Sequence, residues 1–457
     1  MNSSLRLSKR SRLVDAANRA LPVFWKTGVL ASPTLDPEAI RQDVRDATGL
    51  EDFGDPWFER PLDVLAQSLE EEAALNNVGR FGAHGQLHKV LKERLYAQAW
   101  FDRHPEILER SLARPIVVVG PMRSGTTRLH RLLASDARFA HLRLFETITP
   151  APPPDRVPKE GRDPRWLKAA MIVGLVHRFN ANTARIHPTA PFAPEEELGL
   201  LVASMWGMKH EAQWHVPSYG RWSETQDATP AYEHLARLLK LAGWLRGEDD
   251  TRPWVLKTPQ HMLDLPALLK VFPDARIIFT HRAPAAVVGS SCSLVWNQMI
   301  IHSDEAEATA IGQEWLRKTD LQIERMRAAR KRIPTDQRID VRYEDVENDW
   351  LGVMARIYRF LDLDITPSLP AMTAYVDRSQ RKLRRKPHQY DLASFGLESG
   401  RVEDRFADYA AAYGLGEAEE RAHDTVLPLY KAEPESAAGA LPGAAACRTK
   451  AVSAMRL

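Results

Sequence analysis

A chain of 457 residues with 62 Lys and Arg against 60 Asp and Glu has room for one large domain with additions, or for two, and its balanced charge gives no ground for a nucleic-acid partner. Its two cysteines, Cys292 and Cys447, lie far apart without metal-ligand spacing, which argues against a disulfide framework or a zinc site. No apolar run approaches the roughly 20 residues that span a bilayer and no signal-peptide core opens the chain, so the expectation is a cytoplasmic protein with no membrane span.

Residues 1–110 read as a helical N-terminal extension. Leucines and alanines recur at helical spacing over Pro37 to Thr48, Trp57 to Asn76 and Leu87 to Phe101. Gly54-Asp55-Pro56 and the stretch from Gly79 to Gly85 are expected to break the pattern. Asp52-Phe53-Gly54 matches a kinase tripeptide, but no other kinase signature accompanies it.

Pro115 to Leu133, PIVVVGPMRSGTTRLHRLL, is the first stretch that carries chemistry. Ile116 to Val119 give a short buried-strand signal, Gly120 ends it, and Leu129, Leu132 and Leu133 recur at helical spacing beyond a small polar turn. A strand, a tight loop and a helix start in that order form an anion site, because the first-turn N–H groups have no intrahelical acceptor and the macrodipole adds positive potential. Gly125 admits close backbone approach, Ser124, Thr126 and Thr127 offer hydroxyls, and Arg123 adds a forked cation. Gly120 and Gly125 keep the Walker A spacing, yet Thr126 stands where its Lys belongs, which argues against an ordinary ATPase or GTPase.

Thr149 to Pro158 holds five prolines in ten residues and reads as an irregular border or linker. Helix is expected again over 164–185. Arg185 to Leu198 then sets His187 close to a triplet of glutamates. Acidic residues after Pro194 also suit a helix N-terminus. Trp206, Trp214, Trp222 and Trp244 follow; they fit core packing first, or the wall of an apolar acceptor pocket.

Trp254 to Leu256 give a strand signal ending at Lys257, followed by Thr258, Pro259, Gln260 and His261. Arg276 to His281 give another, so Arg282 emerges at a strand's carboxyl end, Pro284 opens a helix, and Ser290 lies about two turns along it. A charged helix is expected over 304–331, a strand over Arg338 to Tyr343 and a helix over Trp350 to Leu361. Strands near 116, 254, 276 and 339 separated by helices imply an α/β fold: a P-loop-like, doubly wound parallel sheet flanked by helices, with its ligand at the carboxyl ends of the strands.

GPMRSGTT resembles the 5′-phosphosulfate loop of the sulfotransferases, which use 3′-phosphoadenosine 5′-phosphosulfate (PAPS) as sulfuryl donor. In that family a strand ends in an Arg, and a Ser about eight residues later joins it on the donor's 3′-phosphate; Arg282 and Ser290 match. The likeness is to the bacterial-type branch and spans about 45–415, which implies an α/β sulfotransferase domain over 111–430; from 431 to 457 the chain is Ala-, Pro- and Gly-rich with few large apolar residues, so a disordered tail is expected there.

The resemblance implies that Arg123, Ser124, Gly125, Thr126 and Thr127 hold the 5′-phosphosulfate, that Arg282 and Ser290 hold the 3′-phosphate, and that no metal is required. Lys257 would neutralise the leaving phosphate. A base must take the acceptor proton, and His187, Glu195, Glu196 and His261 are the candidates. Relatives often show Pro-Glu-Glu here, which adds weight to Glu195 and Glu196. Cytosolic members place a catalytic His directly after their Lys-Thr, where this chain has Pro259. Arg381 to Leu397, RKLRRKPHQYDLASFGL, is similar to the branch's C-terminal motif, and Arg385 and Lys386 are expected to close over the 3′-phosphate.

The expected reaction is sulfuryl transfer to a hydroxyl, with an amine second, of a small-molecule, lipid or carbohydrate acceptor. A P-loop kinase-like phosphotransferase and a non-catalytic scaffold with the nucleotide fold remain the alternatives.

Overall fold

Three short apolar runs and the alternating segment RIDVR become strands β1 (Ile116–Val119), β2 (Val255–Lys257), β3 (Arg276–His281) and β4 (Arg338–Arg342) in a computed structural model that describes residues 7–156, 163–179, 189–382 and 391–415. They pair in the order β2-β1-β3-β4, every pair parallel. Ile116 sits opposite Val255 on one side and Arg276 on the other. All four residues of β1 are buried, so this strand reads as a continuous apolar run rather than an alternating one.

The longer helices are α1 (Arg12–Lys26), α2 (Pro37–Thr48), α3 (Glu59–Glu71), α4 (Asn77–Arg103), α5 (Thr126–Leu133), α6 (Arg165–Phe179), α7 (Thr229–Leu245), α8 (His261–Val271), α9 (Pro284–His302), α10 (Ala308–Arg330) and α11 (Trp350–Phe360). Their ends follow local chemistry. In α2 the Asp36 side chain accepts from the Glu38 N–H, Pro37 opens the first turn, and Gly49 closes the helix at φ 66°.

Alternate β1 side chains feed two cores. Ile116 and Val118 pack with Leu129, Leu132, Val353 and Ile357 on one face. Val117 and Val119 share a second core with Leu235, Leu268, Ile277 and Phe279 on the other. A third core joins Ile40, Val44, Leu62, Leu87 and Leu91 of the N-terminal helices to Trp214 and Tyr219.

The break expected at Gly79 to Gly85 does not occur, because α4 runs through it without interruption. The glycine there answers to packing, not to a turn: a Cβ on Gly79 would lie 2.1 Å from the His302 carbonyl oxygen. Asn76 secures the same junction, its side chain accepting from the Gly79 N–H at 2.8 Å and its N–H donating to His302 O at 2.9 Å. The helix expected from residue 304 begins at Ala308.

From β1 the chain passes to one neighbour, β2, and then crosses to the other, β3. Connections therefore diverge between β1 and β3, and open α/β sheets bind ligands in the crevice above such a point.

Candidate active site

The loop after β1 is held in shape by close contacts with β3 and β4. A Cβ on Gly120 would meet Thr280 Oγ1 at 1.9 Å, so only glycine lets the two strands' ends approach this closely. Gly125 has φ +80°, and a Cβ there would sit 2.5 Å from the Tyr343 ring. Ser124 is buried; its Oγ bonds the Pro121 carbonyl at 2.8 Å and Thr280 Oγ1 at 2.9 Å, which ties the loop to β3. Arg123 occupies the left-handed region at φ 69°, a conformation a non-glycine residue holds only where its surroundings enforce it.

Three strand ends converge here. Arg282, just past β3, donates from Nη1 to the Arg123 carbonyl at 2.6 Å and stacks its guanidinium 4.1 Å from the centre of the Tyr343 ring. Arg123 Nε in turn donates to Ser290 Oγ at 2.9 Å, joining the loop to the second turn of α9. Lys257, the last residue of β2, donates from Nζ to Thr127 Oγ1 at 3.2 Å and pairs with Glu196. The Lys257 side chain is 1% exposed against 19% for Glu196, so the carboxylate is the member of the pair that reaches solvent.

Behind that pair runs a buried chain of hydrogen bonds. Glu197 accepts the Lys257 backbone N–H at 2.8 Å and, with its other oxygen, bonds His261 Nε2 at 2.5 Å. His261 Nδ1 meets the Tyr232 hydroxyl at 2.7 Å. Burial pushes the Glu197 carboxyl up, but the bond and charge of His261 and the Lys257 N–H outweigh it and hold the group below its ordinary value. His130, buried in α5, is pushed down to about 3 by burial and by the Lys257 charge, so it is neutral near pH 7.

The family model described as the sulfotransferase family matches residues 115–367, which include all four strands, the loop, Lys257, Arg282 and Ser290. STF1, a sulfotransferase from Mycobacterium tuberculosis H37Rv, is 31% identical over 81% of this chain and 98% of its own, with a TM-score of 0.71. The chain belongs to the sulfotransferase family. STF9, a sulfotransferase from Mycobacterium avium, is 23% identical over 83% of this chain and 97% of its own, and its TM-score of 0.73 records the same fold. No curated protein matches the chain.

Within this sulfotransferase, Arg123, Ser124, Gly125, Thr126, Thr127, Lys257, Arg282 and Ser290 lie together at the carboxyl ends of β1, β2 and β3. Glu195 and Glu196 arrive on a segment whose backbone bonds the stretch before Leu144: Glu195 N–H donates to Leu142 O at 3.0 Å. Glu195 accepts from Thr189 Oγ1 at 2.8 Å and is buried. His261 is fully buried with both ring nitrogens engaged. His187, Arg385 and Lys386 lie outside the described residues.

Sequence reasoning passed over Tyr343 and Glu197 as site residues. Tyr343 begins the Tyr-Glu-Asp stretch and Glu197 ends the glutamate triplet, so each carried a faint local signal. Tyr232, which the sequence offered with the tryptophans as core or as an acceptor-pocket wall, is fully buried and bonds His261. Trp206 and Trp214 are core residues, Trp206 donating to Asp264 at 2.8 Å. One group of acids among the described residues, Glu211, Glu224 and Glu314, has oxygens near enough to hold a cation, and Lys318 Nζ already pairs with Glu211 and Glu224.

Proposed function

We propose that this sulfotransferase moves a sulfuryl group from PAPS to a hydroxyl acceptor, with an amine as the second choice. The observation that carries the reading is the meeting of Arg123, Ser290 and Arg282 at the loop after β1, where the Arg123 guanidinium donates to the Ser290 hydroxyl and the Arg282 guanidinium to the Arg123 backbone carbonyl. Cations gathered from distant positions repel one another and persist where an anion is to be bound. Arg123 Nε donates to the Ser290 hydroxyl, and both groups are able to donate to a phosphate.

Transfer is in line. The acceptor oxygen forms a bond to sulfur as the bond from sulfur to the 5′-phosphate oxygen breaks, giving a sulfate ester and 3′-phosphoadenosine 5′-phosphate. Negative charge grows on that phosphate oxygen, and Lys257, beside Thr127, is the cation to neutralise it. Glu196 is the base of choice, because it reaches solvent next to Lys257 whereas His261 is enclosed between Glu197 and Tyr232. Glu197 positions Lys257 through its backbone N–H.

Turnover of sulfur-labelled PAPS against a panel of alcohols, phenols and amines tests the reading. Label transfer that Lys257→Ala slows by about 10²–10³-fold supports it, whereas ATP-dependent phosphorylation of the same panel would replace it with the kinase-like alternative.

A further inference from the structure

Six of the large apolar side chains that stay exposed cluster on α6 and against it. Trp166, Leu167, Met171, Leu175 and Val176 belong to the helix, and the Phe192 ring lies 5.9 Å from that of Trp166. Leu167, Met171 and Leu175 recur every four residues and so share one face, with Met171 69% exposed. Only Arg165 and Ala169 of the helix are buried. A surface helix ordinarily turns such a stripe inward, and contiguous exposed apolar patches mark an interaction surface.

Charge says what fits that face. Arg178 extends the Leu167, Met171, Leu175 row, exposed Lys168 borders it, and no acidic residue occurs anywhere in the helix. The helix is firmly oriented, since Arg165 bonds the carbonyls of Thr149 and Pro150 at 2.9 and 3.0 Å and pairs with Asp163 at 2.6 Å. Its 15 described residues span about 22 Å and join an exposed apolar row to cations, the combination that suits a helix lying in a membrane interface. No helix among the described residues is long and apolar enough to cross a membrane.

We propose that α6 and Phe192 dock this protein on a lipid bilayer surface bearing anionic headgroups. Leu167, Met171 and Leu175 enter the boundary between headgroups and acyl chains, and Lys168 and Arg178 meet the phosphates. Phe192 stands four residues before Glu196, so on the sulfotransfer reading above, the docked face borders the segment that carries the proposed base.

Sedimentation of the full chain with phosphatidylcholine vesicles, with and without phosphatidylglycerol, tests the proposal and needs neither donor nor acceptor, so its failure leaves the catalytic reading untouched. Binding should be roughly 30-fold tighter to the anionic vesicles at low salt, from two cations at about fivefold each. Met171→Ser with Leu175→Ser should weaken it at least about tenfold with the thermal midpoint unchanged, and Lys168→Glu with Arg178→Glu should remove the preference for phosphatidylglycerol. Failure to bind either vesicle overturns the proposal. So does a dimer in solution that the double Ser variant dissociates, which would assign the face to a second copy of the chain.

Discussion

Lys257 lies where almost no water reaches it, and a buried ammonium is tolerated only beside a compensating carboxylate. The Glu196 pair supplies that compensation in the resting protein. Lys257→Ala is expected to lower kcat by about 10²–10³-fold while changing affinity for 3′-phosphoadenosine 5′-phosphate far less, as measured by steady-state kinetics beside calorimetry. Glu196→Gln should lower kcat by about 10²–10⁴-fold with affinity for 3′-phosphoadenosine 5′-phosphate retained; an unaltered kcat would hand the base role to another group. Lys257 and Arg282 were legible because each follows an apolar strand run and precedes a turn. The bonds of Glu197 to His261 and of His261 to Tyr232 were not, because their partners lie 64 and 29 positions apart in sequence.

Glycines decide two of the elements. In the loop between β1 and α5, Gly125→Ala would force a side chain to φ +80° and push it into the Tyr343 ring, on which Arg282 stacks. Backbone strain alone costs about 1–2 kcal/mol, and displacement of the ring adds a loss of donor affinity that calorimetry would detect. Gly79→Ala, far from that loop in sequence, should destabilise the fold by about 1–3 kcal/mol, read from the urea midpoint, and leave donor affinity intact. Strand β1 was readable from sequence because burial on both faces selects an unbroken apolar run, and β4 because Ile339 and Val341 alternate with charged residues. The course of α4 was not, since a glycine chosen for close approach of a neighbouring carbonyl is indistinguishable in sequence from one chosen for a turn.

At the scale of the whole molecule, buried imidazoles set the acid limit. Burial pushes His130 and His210 down to about 3, and His141 and His302 down to about 4. Between those values and about 6.5 the unfolded chain binds protons that the native state refuses, so stability is complete above that window and is lost as pH falls through it, by about 1.4 kcal/mol per pH unit for each imidazole. The urea midpoint should be level above pH 7 and drop steeply from pH 6.5 to 5; a flat profile would contradict the burial of these groups. The parallel sheet and the family were legible because the loop after β1 and the Arg282–Ser290 spacing are local signals. The shared core between the N-terminal helices and Trp214 was not, since it joins segments more than a hundred residues apart.

Arg123, Arg282 and Ser290 are proposed to form a site for a nucleotide bearing a 3′-phosphate. Calorimetric titration with 3′-phosphoadenosine 5′-phosphate, set against ATP with Mg²⁺, tests it most directly. The 3′-phosphorylated nucleotide is expected to bind roughly 100-fold tighter, from about two charge-assisted contacts, and Arg282→Ala is expected to remove most of that preference. Equal affinity for the two nucleotides, or a preference that survives Arg282→Ala, would contradict it.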